Sequence, residues 1–272
     1  MSRRRPQFFD IRQAEGPEGG ADRQFVASLG RGLEVLACFR KGETLLGNQD
    51  IAARCGFPKS TVSRLTYTLS KLGYLHYVEE AAKYRLGMAV LTLGTSMLAR
   101  LDVRNIARPL MEELAISAKV SSALGARDRL SMVYIESFYG YTPVSLAVAV
   151  GSRISISTSA MGRAFLAVCG EEMRNSILEE IRALDKTDWP RTRDAIATAV
   201  EDHRTLGCAC SFGEWQGHVN AIAAAFNPGG GLPPMAINCG APSVVADPRF
   251  FLDEVRPKLI SITRKLEGAM GL

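Results

Sequence analysis

From Ser28 onward, apolar residues recur every three to four positions until Gly42. This spacing places them on one face of a helix, and Ser28 stands near the expected N-cap. A second, shorter helix is predicted between Asn48, whose side chain can cap a helix, and Gly56, which can end one. The hydrophobic pattern therefore begins with two predicted helices.

A third helix is predicted from Pro58 to Gly73, because proline is favoured in the first turn of a helix. Its apolar residues form one stripe, which consists of Val62, Leu65, Leu69 and Leu72. The opposite face has no acidic residue and consists of hydrogen-bond donors, namely Ser60, Ser63, Arg64, Tyr67 and Lys71. Short donors let a helix approach phosphates and base edges, and arginine can bind guanine through two hydrogen bonds. This face is predicted to bind DNA, and a solvated helix that lacks acids is the alternative.

Two strand-like runs follow the third helix, residues 74–78 and 83–86, and residues 79–82 form a turn between them. Helix, turn, helix and hairpin are the order of a winged helix-turn-helix, in which the second helix of the turn enters the major groove and the hairpin lies along the backbone. The predicted DNA-binding residues are Lys59, Ser60, Thr61, Ser63, Arg64, Tyr67, Lys71, Lys83 and Arg85.

A linker helix is predicted after the hairpin, because apolar residues continue at helical spacing. Its apolar face is wider than a small winged domain would cover, so we expect a partner chain or the second domain to pack on it. The predicted organisation is a disordered basic arm (1–24), the winged helix-turn-helix DNA-binding domain (25–87), the linker helix (88–104) and a second domain (105–272).

The second domain places helical segments between strand-like ones. Strands are predicted over residues 121–126, 130–137, 143–150, 208–211, 219–226 and 235–239. Helices are predicted over residues 158–169, 171–184, 190–207 and 247–270. This order predicts an antiparallel sheet flanked by helices, so the fold class of the whole chain is mainly α plus α+β.

The 272-residue chain has a net charge of +5, which is unevenly distributed. Residues 1–104 contain 16 Lys and Arg against 10 Asp and Glu, whereas the remaining residues contain 17 against 18. A basic module joined to a nearly neutral one favours a polyanion such as DNA as the partner of the first. No segment approaches the ~18 apolar residues of a membrane span, so we expect a cytoplasmic protein without a membrane partner.

Six cysteines are scattered along the chain, and without a secretion signal they are expected to be reduced thiols. The close pair Cys208 and Cys210 lacks further ligands at zinc spacing, so neither a metal nor a cofactor is predicted. Known hydrolase and phosphate-loop motifs are missing, which argues against an enzyme. A hydrolase that combines either cysteine with His203 or His218 is the alternative hypothesis. A redox switch at these cysteines is less favoured, because no cation stands near them in the sequence.

Small residues occupy the start of a predicted helix over residues 157–164. Free N–H groups and the helix dipole attract an anion at such a position, so a carboxylate could bind there. Gly162 allows a close backbone approach, which fits a pocket floor, although ordinary close packing accounts for small residues as well. Trp215 is either a pocket wall or part of the core.

Nine short motifs carry a resemblance that covers nearly everything after residue 24. Four lie in the first half: SLGRGLEVL (28–36), GFPKSTVSRL (56–65), LGYL (72–75) and YRLG (84–87). Five lie in the second half: ARPL (107–110), SAMGRA (159–164), GCACSFGE (207–214), AIAAA (221–225) and NCGAP (238–242). The chain resembles the isocitrate lyase regulator (IclR) family of bacterial transcription regulators.

The resemblance implies a winged-helix homodimer on a palindromic operator, commonly associating further into tetramers. It also implies a GAF-like second domain that binds a small organic or aromatic acid. The effector-binding residues are then expected to be Leu146, Ala160, Met161, Gly162, Ser211, Glu214, Ala221, Asn238 and Cys239. Two departures leave the effector open: Ser211, where relatives often have an acid, and Ala225, where they usually have proline. The leading hypothesis is a ligand-responsive transcription regulator.

Overall fold

The computed structural model describes residues 24–40, 42–99, 101–140, 146 and 149–269. The chain divides into two compact units, residues 1–100 and 101–272. The predicted basic arm lies outside the described residues except for its last residue. The domain limits taken from the sequence stay a prediction.

The described part of the first unit is a helix-turn-helix followed by a hairpin and a further helix. Its elements are α1 (Ala27–Ala37), α2 (Asn48–Cys55), α3 (Lys59–Lys71), β1 (Leu75–Val78), β2 (Lys83–Leu86) and α4 (Met88–Leu98). The two strands pair in antiparallel fashion, and a 3-10 turn at Glu79–Ala81 joins them. This order confirms the predicted winged helix-turn-helix.

Helix α1 starts earlier and ends sooner than its pattern predicts. The N-cap is Val26, two positions before Ser28, and it offers no side-chain hydrogen bond. The apolar spacing continues beyond Ala37, but the backbone leaves the helix there. By contrast, Gly56 ends α2 in the left-handed conformation (φ 71°), as predicted, because glycine has no Cβ to clash there.

The predicted cap of α2, Asn48, instead joins α2 to α3. The N-cap residue is Gly47, whose N–H donates to Asp50 Oδ2 at 2.9 Å. The Asn48 side chain is therefore available for α3: its Nδ2 donates to Ser63 Oγ at 3.3 Å, and its Oδ1 accepts from Thr66 Oγ1 at 3.2 Å. Because Thr66 is fully buried, this bond fixes α3 against α2.

The core of the first unit uses only part of each predicted apolar stripe. Its buried residues include Val35, Ile51, Val62, Leu69 and Leu75. Three residues on the apolar stripes of α1 and α3, Leu29, Leu33 and Leu72, are 62%, 58% and 61% exposed. The spacing identifies a set of apolar positions, but the rotation of each helix against its neighbours decides which of them meet the core.

The predicted linker helix is correct only over its first two-thirds, because α4 ends at Leu98 and a separate helix, α5 (Asp102–Ala118), starts the second unit. Helix α5 was not predicted from the sequence. Pro109 lies inside it, where proline normally removes a backbone hydrogen bond and disfavours a helix. A signal was present nonetheless, since every third or fourth residue is buried in α5, namely Val103, Ala107, Met111, Leu114 and Ala118.

The second unit is an antiparallel sheet with helices. Its strands are β3 (Ser121–Asp128), β4 (Ser131–Phe138), β5 (Arg153–Ser155), β6 (Ala209–Phe212), β7 (Val219–Phe226) and β8 (Met235–Pro242). After α5, its helices are α6 (Ala160–Val168), α7 (Glu171–Leu184), α8 (Trp189–Leu206) and α9 (Arg256–Ala269). The strand order is β5-β4-β3-β8-β7-β6, and each neighbouring pair is antiparallel. The predicted fold class is confirmed.

Two segments of the second unit differ from the sequence-based prediction. Most of the predicted strand 143–150 lies outside the described residues, and the described edge strand β5 follows it. The helix predicted over 247–270 is present from Pro248 to Ala269, but a short α-helical segment at Pro248–Phe250 and a π-helical turn at Phe251–Val255 precede α9. A π turn is common as a bulge within α-helices and has no clear signal in hydrophobic spacing.

Helix α6 lies directly against the sheet, because small residues allow its close approach. Ala221 and Ala223 of β7 belong to the same buried cluster as Ala160, Met161 and Phe165 of α6. Gly125 of β3 leaves room for the Met161 thioether, since a Cβ there would be 2.5 Å from Met161 Sδ. This packing places α6 over β6, β7 and β8.

Candidate functional site

The residues predicted to bind DNA lie on α3 and β2. All are exposed except Thr61, which is half-buried. Lys59, Ser60, Ser63, Arg64, Tyr67 and Lys71 form the exposed part of α3, and Lys83 and Arg85 lie on β2. Because side chains alternate along a strand, Lys83 and Arg85 share one face, while Tyr84 between them packs on the core. The structure thus presents one set of donors on the helix and another on the wing.

The cations of this surface are not neutralised by the protein. In the described ranges of the chain, no carboxylate forms an ion pair with Lys59, Arg64, Lys71, Lys83 or Arg85. Lys71 Nζ lies 5.5 Å from the centre of the Tyr67 ring, which leaves its charge available. Unpaired cations on an exposed helix are suited to neutralise phosphates. The hydrogen bond between Asn48 and the buried Thr66, which was not predicted from the sequence, holds α3 against α2 and so fixes the helix that carries this surface.

A cavity opens in the second unit between the sheet and the start of α6. Its enclosed volume is about 20 Å³, within about 440 Å³ of empty space that includes open solvent. Its walls are mostly apolar and include Leu146, Ile154, Ala160, Trp215 and Val219. Trp215, for which the sequence left two roles open, is thus a wall of this cavity. Concave apolar sites with a few polar groups are the usual form of small-molecule pockets.

Six of the fourteen residues that line the cavity are polar, and several of them form hydrogen bonds with one another or with the backbone. Asn238 Nδ2 donates to the Tyr134 hydroxyl at 3.3 Å. Asn238 Oδ1 is buried and accepts no hydrogen bond from any residue that the structure describes. Burial raises the pKa of Tyr134 to about 12, so its hydroxyl stays protonated at neutral pH. Ser211 Oγ donates to the Thr158 carbonyl at 2.8 Å, which uses its proton. An unsatisfied buried acceptor at the cavity is the strongest sign of a missing partner.

Of the predicted effector-binding residues, Leu146, Ala160, Ser211, Ala221 and Asn238 line this cavity. The other four, Met161, Gly162, Glu214 and Cys239, do not. Met161 packs into the space at Gly125, and a Cβ on Gly162 would lie 2.2 Å from the Ile156 carbonyl oxygen. Cys239 alternates with the cavity-lining Asn238 and Gly240, so its side chain points to the other face of β8.

Glu214 is held by an arginine that the sequence analysis did not single out for this role. Arg163 on α6 donates to both carboxylate oxygens of Glu214, at 2.7 and 2.6 Å. The guanidinium group is almost fully buried and also donates to the carbonyls of Ser157 and Cys210. A bidentate pair of this kind fixes both partners in direction. The pair therefore positions the loop that carries Trp215 beside the cavity.

The residues of the alternative thiol hydrolase are engaged in other contacts. His203 Nε2 accepts from the Ala225 N–H at 3.4 Å, so it is not available as a base for a thiol. A hydrogen bond from Cys210 lowers the pKa of the Cys208 thiol, and the charge of Arg256 adds to this. The cation that the sequence lacked near these cysteines is thus supplied by α9.

No group of three or more metal-binding side chains occurs among the described residues.

Acid is expected to destabilise the second unit through His203. Burial lowers the pKa of His203 below its ordinary 6.5, so the unfolded chain binds the proton more readily than the folded one. The stability is therefore complete above pH 6.5 and falls as the pH drops from 6.5 toward the lower folded-state pKa.

Urea unfolding between pH 8 and 5 tests this expectation. His203→Gln should reduce the loss of stability below pH 6.5, whereas His218→Gln, at an exposed position, should leave it unchanged. A wild-type profile that is flat between pH 7 and 5 would contradict the assignment.

Two family models match the chain. The IclR helix-turn-helix domain matches residues 28–79, and the bacterial transcriptional regulator IclR C-terminal domain matches residues 95–267. The chain belongs to the IclR family. Its members that match here are transcriptional regulators and not enzymes, and the thiol-hydrolase alternative finds no support among them. This IclR-family chain is a DNA-binding transcription regulator. Among the described helices, none combines the length and the apolar character that a membrane span requires.

Individual relatives agree with the family assignment. The transcriptional regulator TsaQ1/TsaQ2 of Comamonas testosteroni is 34% identical over 250 residues, which are 90% of this chain and 88% of the relative. A crystal structure of an IclR family transcriptional regulator from Brucella abortus is 42% identical, with a TM-score of 0.81 over 91% of this chain and 94% of that one. An IclR homolog from Microbacterium hydrocarbonoxydans, solved with 4-hydroxybenzoate, is 22% identical, with a TM-score of 0.69 over 89% of this chain and 97% of that one. The last likeness concerns the fold alone.

Proposed function

We propose that this regulator binds a palindromic operator as a homodimer and takes a small organic acid, most readily an aromatic one, in the cavity of its second unit. Binding of the acid then changes the affinity for the operator. The observation that carries the proposal is the apolar cavity with the unsatisfied Asn238 Oδ1 on its wall.

The walls of the cavity favour an aromatic ring. The enclosed space is about 20 Å³, room for about one water molecule, so a ring would enter by displacing side chains of the wall. Trp215, Ile154 and Val219 supply flat or branched apolar surface, against which a ring can bury its faces.

The charge of the cavity favours a ligand with a single negative charge. The nearby cation, Arg163, is already neutralised by Glu214. What remains is the start of α6, where Ser159 caps the Gly162 N–H and the N–H of the cavity-lining Ala160 has no bond to the described residues. A carboxylate is suited to that helix end, because it accepts N–H bonds and the helix dipole favours an anion.

The free acceptor on Asn238 favours a hydrogen-bond donor on the ligand as well. A phenolic hydroxyl can donate to Asn238 Oδ1, whose amide group already donates to Tyr134. The 4-hydroxybenzoate in the Microbacterium hydrocarbonoxydans homolog combines a carboxylate with such a hydroxyl. We therefore include this compound among the first acids to test.

The homodimer is supported by apolar surface on the first unit. No residue of α4 is buried, although Met88, Leu91, Leu93 and Met97 lie on it, and Leu29 and Leu33 of α1 are exposed as well. A second copy of the chain would cover such residues. A two-fold dimer would also place two α3 helices at half-sites related by the same symmetry, which is the reason to expect a palindrome.

Thermal-shift measurements with small acids test the ligand. We expect 4-hydroxybenzoate and benzoate to raise the unfolding temperature, and benzamide not to do so, because a ligand that binds only the folded state stabilises it. Asn238→Leu should lower the affinity for 4-hydroxybenzoate about fivefold, because one hydrogen bond is lost. The affinity for benzoate should stay within about twofold of the wild-type value. Val244→Ala, at a position that is 88% exposed, is the matched control.

Two outcomes would contradict the proposal. One is that no monocarboxylic acid shifts the unfolding temperature, and the other is that Asn238→Leu affects both acids equally. The acids that bind are then titrated into an operator-binding assay, where a change in affinity is expected.

A further inference from the structure

Two cysteine thiols meet inside the DNA-binding unit. Cys38 directly follows α1, and Cys55 is the last residue of α2. Their Sγ atoms are 2.9 Å apart, although 17 positions of sequence separate them. Both are buried, at 6% and 8% exposure, so only an oxidant as small as hydrogen peroxide is considered for them.

Other contacts hold the two thiols together. Arg54, next to Cys55, donates from Nη1 to the Cys38 carbonyl at 2.8 Å. The same guanidinium forms an ion pair with Glu43, with Nη2 2.9 Å from Oε1. The end of α2 is thus tied to the segment after α1 by bonds that do not involve sulfur. The thiol contact is therefore built into the scaffold of the unit.

The distance is short enough for a covalent bond to form with little movement. A disulfide bond is about 2.05 Å long, so the sulfurs need to approach by about 0.9 Å. The surroundings of the two thiols also affect their pKa values differently. A hydrogen bond from Cys55 lowers the pKa of the Cys38 thiol, and the charges of Arg54 and Arg40 act in the same direction. We take Cys38 as the attacking thiol and Cys55, in contact with it, as the resolving one, although the contact itself allows either order.

We propose that Cys38 and Cys55 form a redox-active dithiol, which a hydroperoxide converts into a disulfide between α1 and α2. In the first step the Cys38 thiolate attacks the peroxide; with hydrogen peroxide and one proton this yields Cys38 sulfenic acid and water. In the second step the Cys55 thiol displaces the hydroxyl group, which leaves with the thiol proton as a second water. The two sulfurs lose two electrons in total, and the peroxide gains them.

The disulfide would stabilise the DNA-binding unit. A unit of this size buries a modest core, so its stability depends strongly on single constraints. The cross-link closes a loop of 17 residues and so restricts the unfolded chain more than the folded one. From typical disulfide effects we expect the unfolding temperature of this unit to rise by about 5 to 15 °C on oxidation.

The experiment treats the reduced full-length protein with hydrogen peroxide at a few equivalents. Free thiols are then alkylated under denaturing conditions, and peptides are mapped by mass spectrometry. We expect a peptide pair linked through Cys38 and Cys55, together with an upward shift of the unfolding transition that dithiothreitol reverses. Cys55→Ser should abolish both effects, and Cys210→Ser should retain both.

Peptide mapping of the wild-type protein decides the proposal even if Cys55→Ser folds poorly. Cys38 and Cys55 both alkylated after peroxide treatment would overturn it, as would a disulfide found solely between Cys208 and Cys210. A linked Cys38–Cys55 pair without any shift of the unfolding transition would overturn the stabilising role.

Discussion

Replacing Arg64 with alanine is expected to lower the affinity for the operator about 5- to 150-fold, with a much smaller change for random duplex DNA. Arg64 is exposed on α3 and has no ion pair with a described residue, so its guanidinium is free to bind a base edge. A bidentate arginine–guanine contact discriminates by about 1–3 kcal/mol, which corresponds to this range of affinity. The Asn48 contact with Ser63 keeps the neighbouring turn of α3 in place when Arg64 is shortened.

The measurement is a binding titration on a duplex selected from randomised sequences and on a random duplex of equal length. Both are followed against salt concentration, because phosphate contacts make the affinity salt-dependent. Lys83→Ala on β2 is the matched control: if the wing contacts phosphate, both duplexes should lose affinity alike, with a salt slope smaller by about 1. Equal losses on both duplexes for Arg64→Ala would refute its role in base reading.

Replacing Gly162 with alanine is expected to destabilise the second unit by about 2 to 4 kcal/mol. A Cβ at this position would lie 2.2 Å from the Ile156 carbonyl oxygen and 2.4 Å from Ile156 Cα. The obstacle is backbone, which cannot rotate away as a side chain can. Helix α6 would have to move off the sheet, and buried Phe165 would lose part of its packing.

Urea unfolding of the full-length protein, followed by far-ultraviolet circular dichroism, measures this loss. Gly170→Ala is the matched control, because nothing lies within 4 Å of a Cβ built there. The free energy of unfolding of this control should stay within about 1 kcal/mol of the wild-type value. An unchanged stability in Gly162→Ala, together with weaker acid binding, would instead support the sequence-based expectation that Gly162 is a ligand contact.

Much of the DNA-binding unit could be predicted from the chain, because its signals are local. Gly56 and Pro58 predict the turn between α2 and α3. The face of α3 without acidic residues can be recognised within the 13 residues of that helix. Local spacing did not reveal the rotation of the helices, so it did not show that Leu29 and Leu33, on the apolar stripe of α1, are exposed. Helix α5 was not predicted, although its buried positions recur every three to four residues.

The second unit shows the same limit for the ligand cavity. Family resemblance pointed to Ala160, Ser211 and Asn238, which line the cavity. It also suggested Glu214, which the structure pairs with Arg163 instead. The sequence alone establishes helix-turn-helix, hairpin and sheet, since periodicity and turn residues act over a few positions. Only the folded chain decides the pairing of Arg163 with Glu214, 51 positions apart, and of Cys38 with Cys55, because such contacts depend on how distant segments pack.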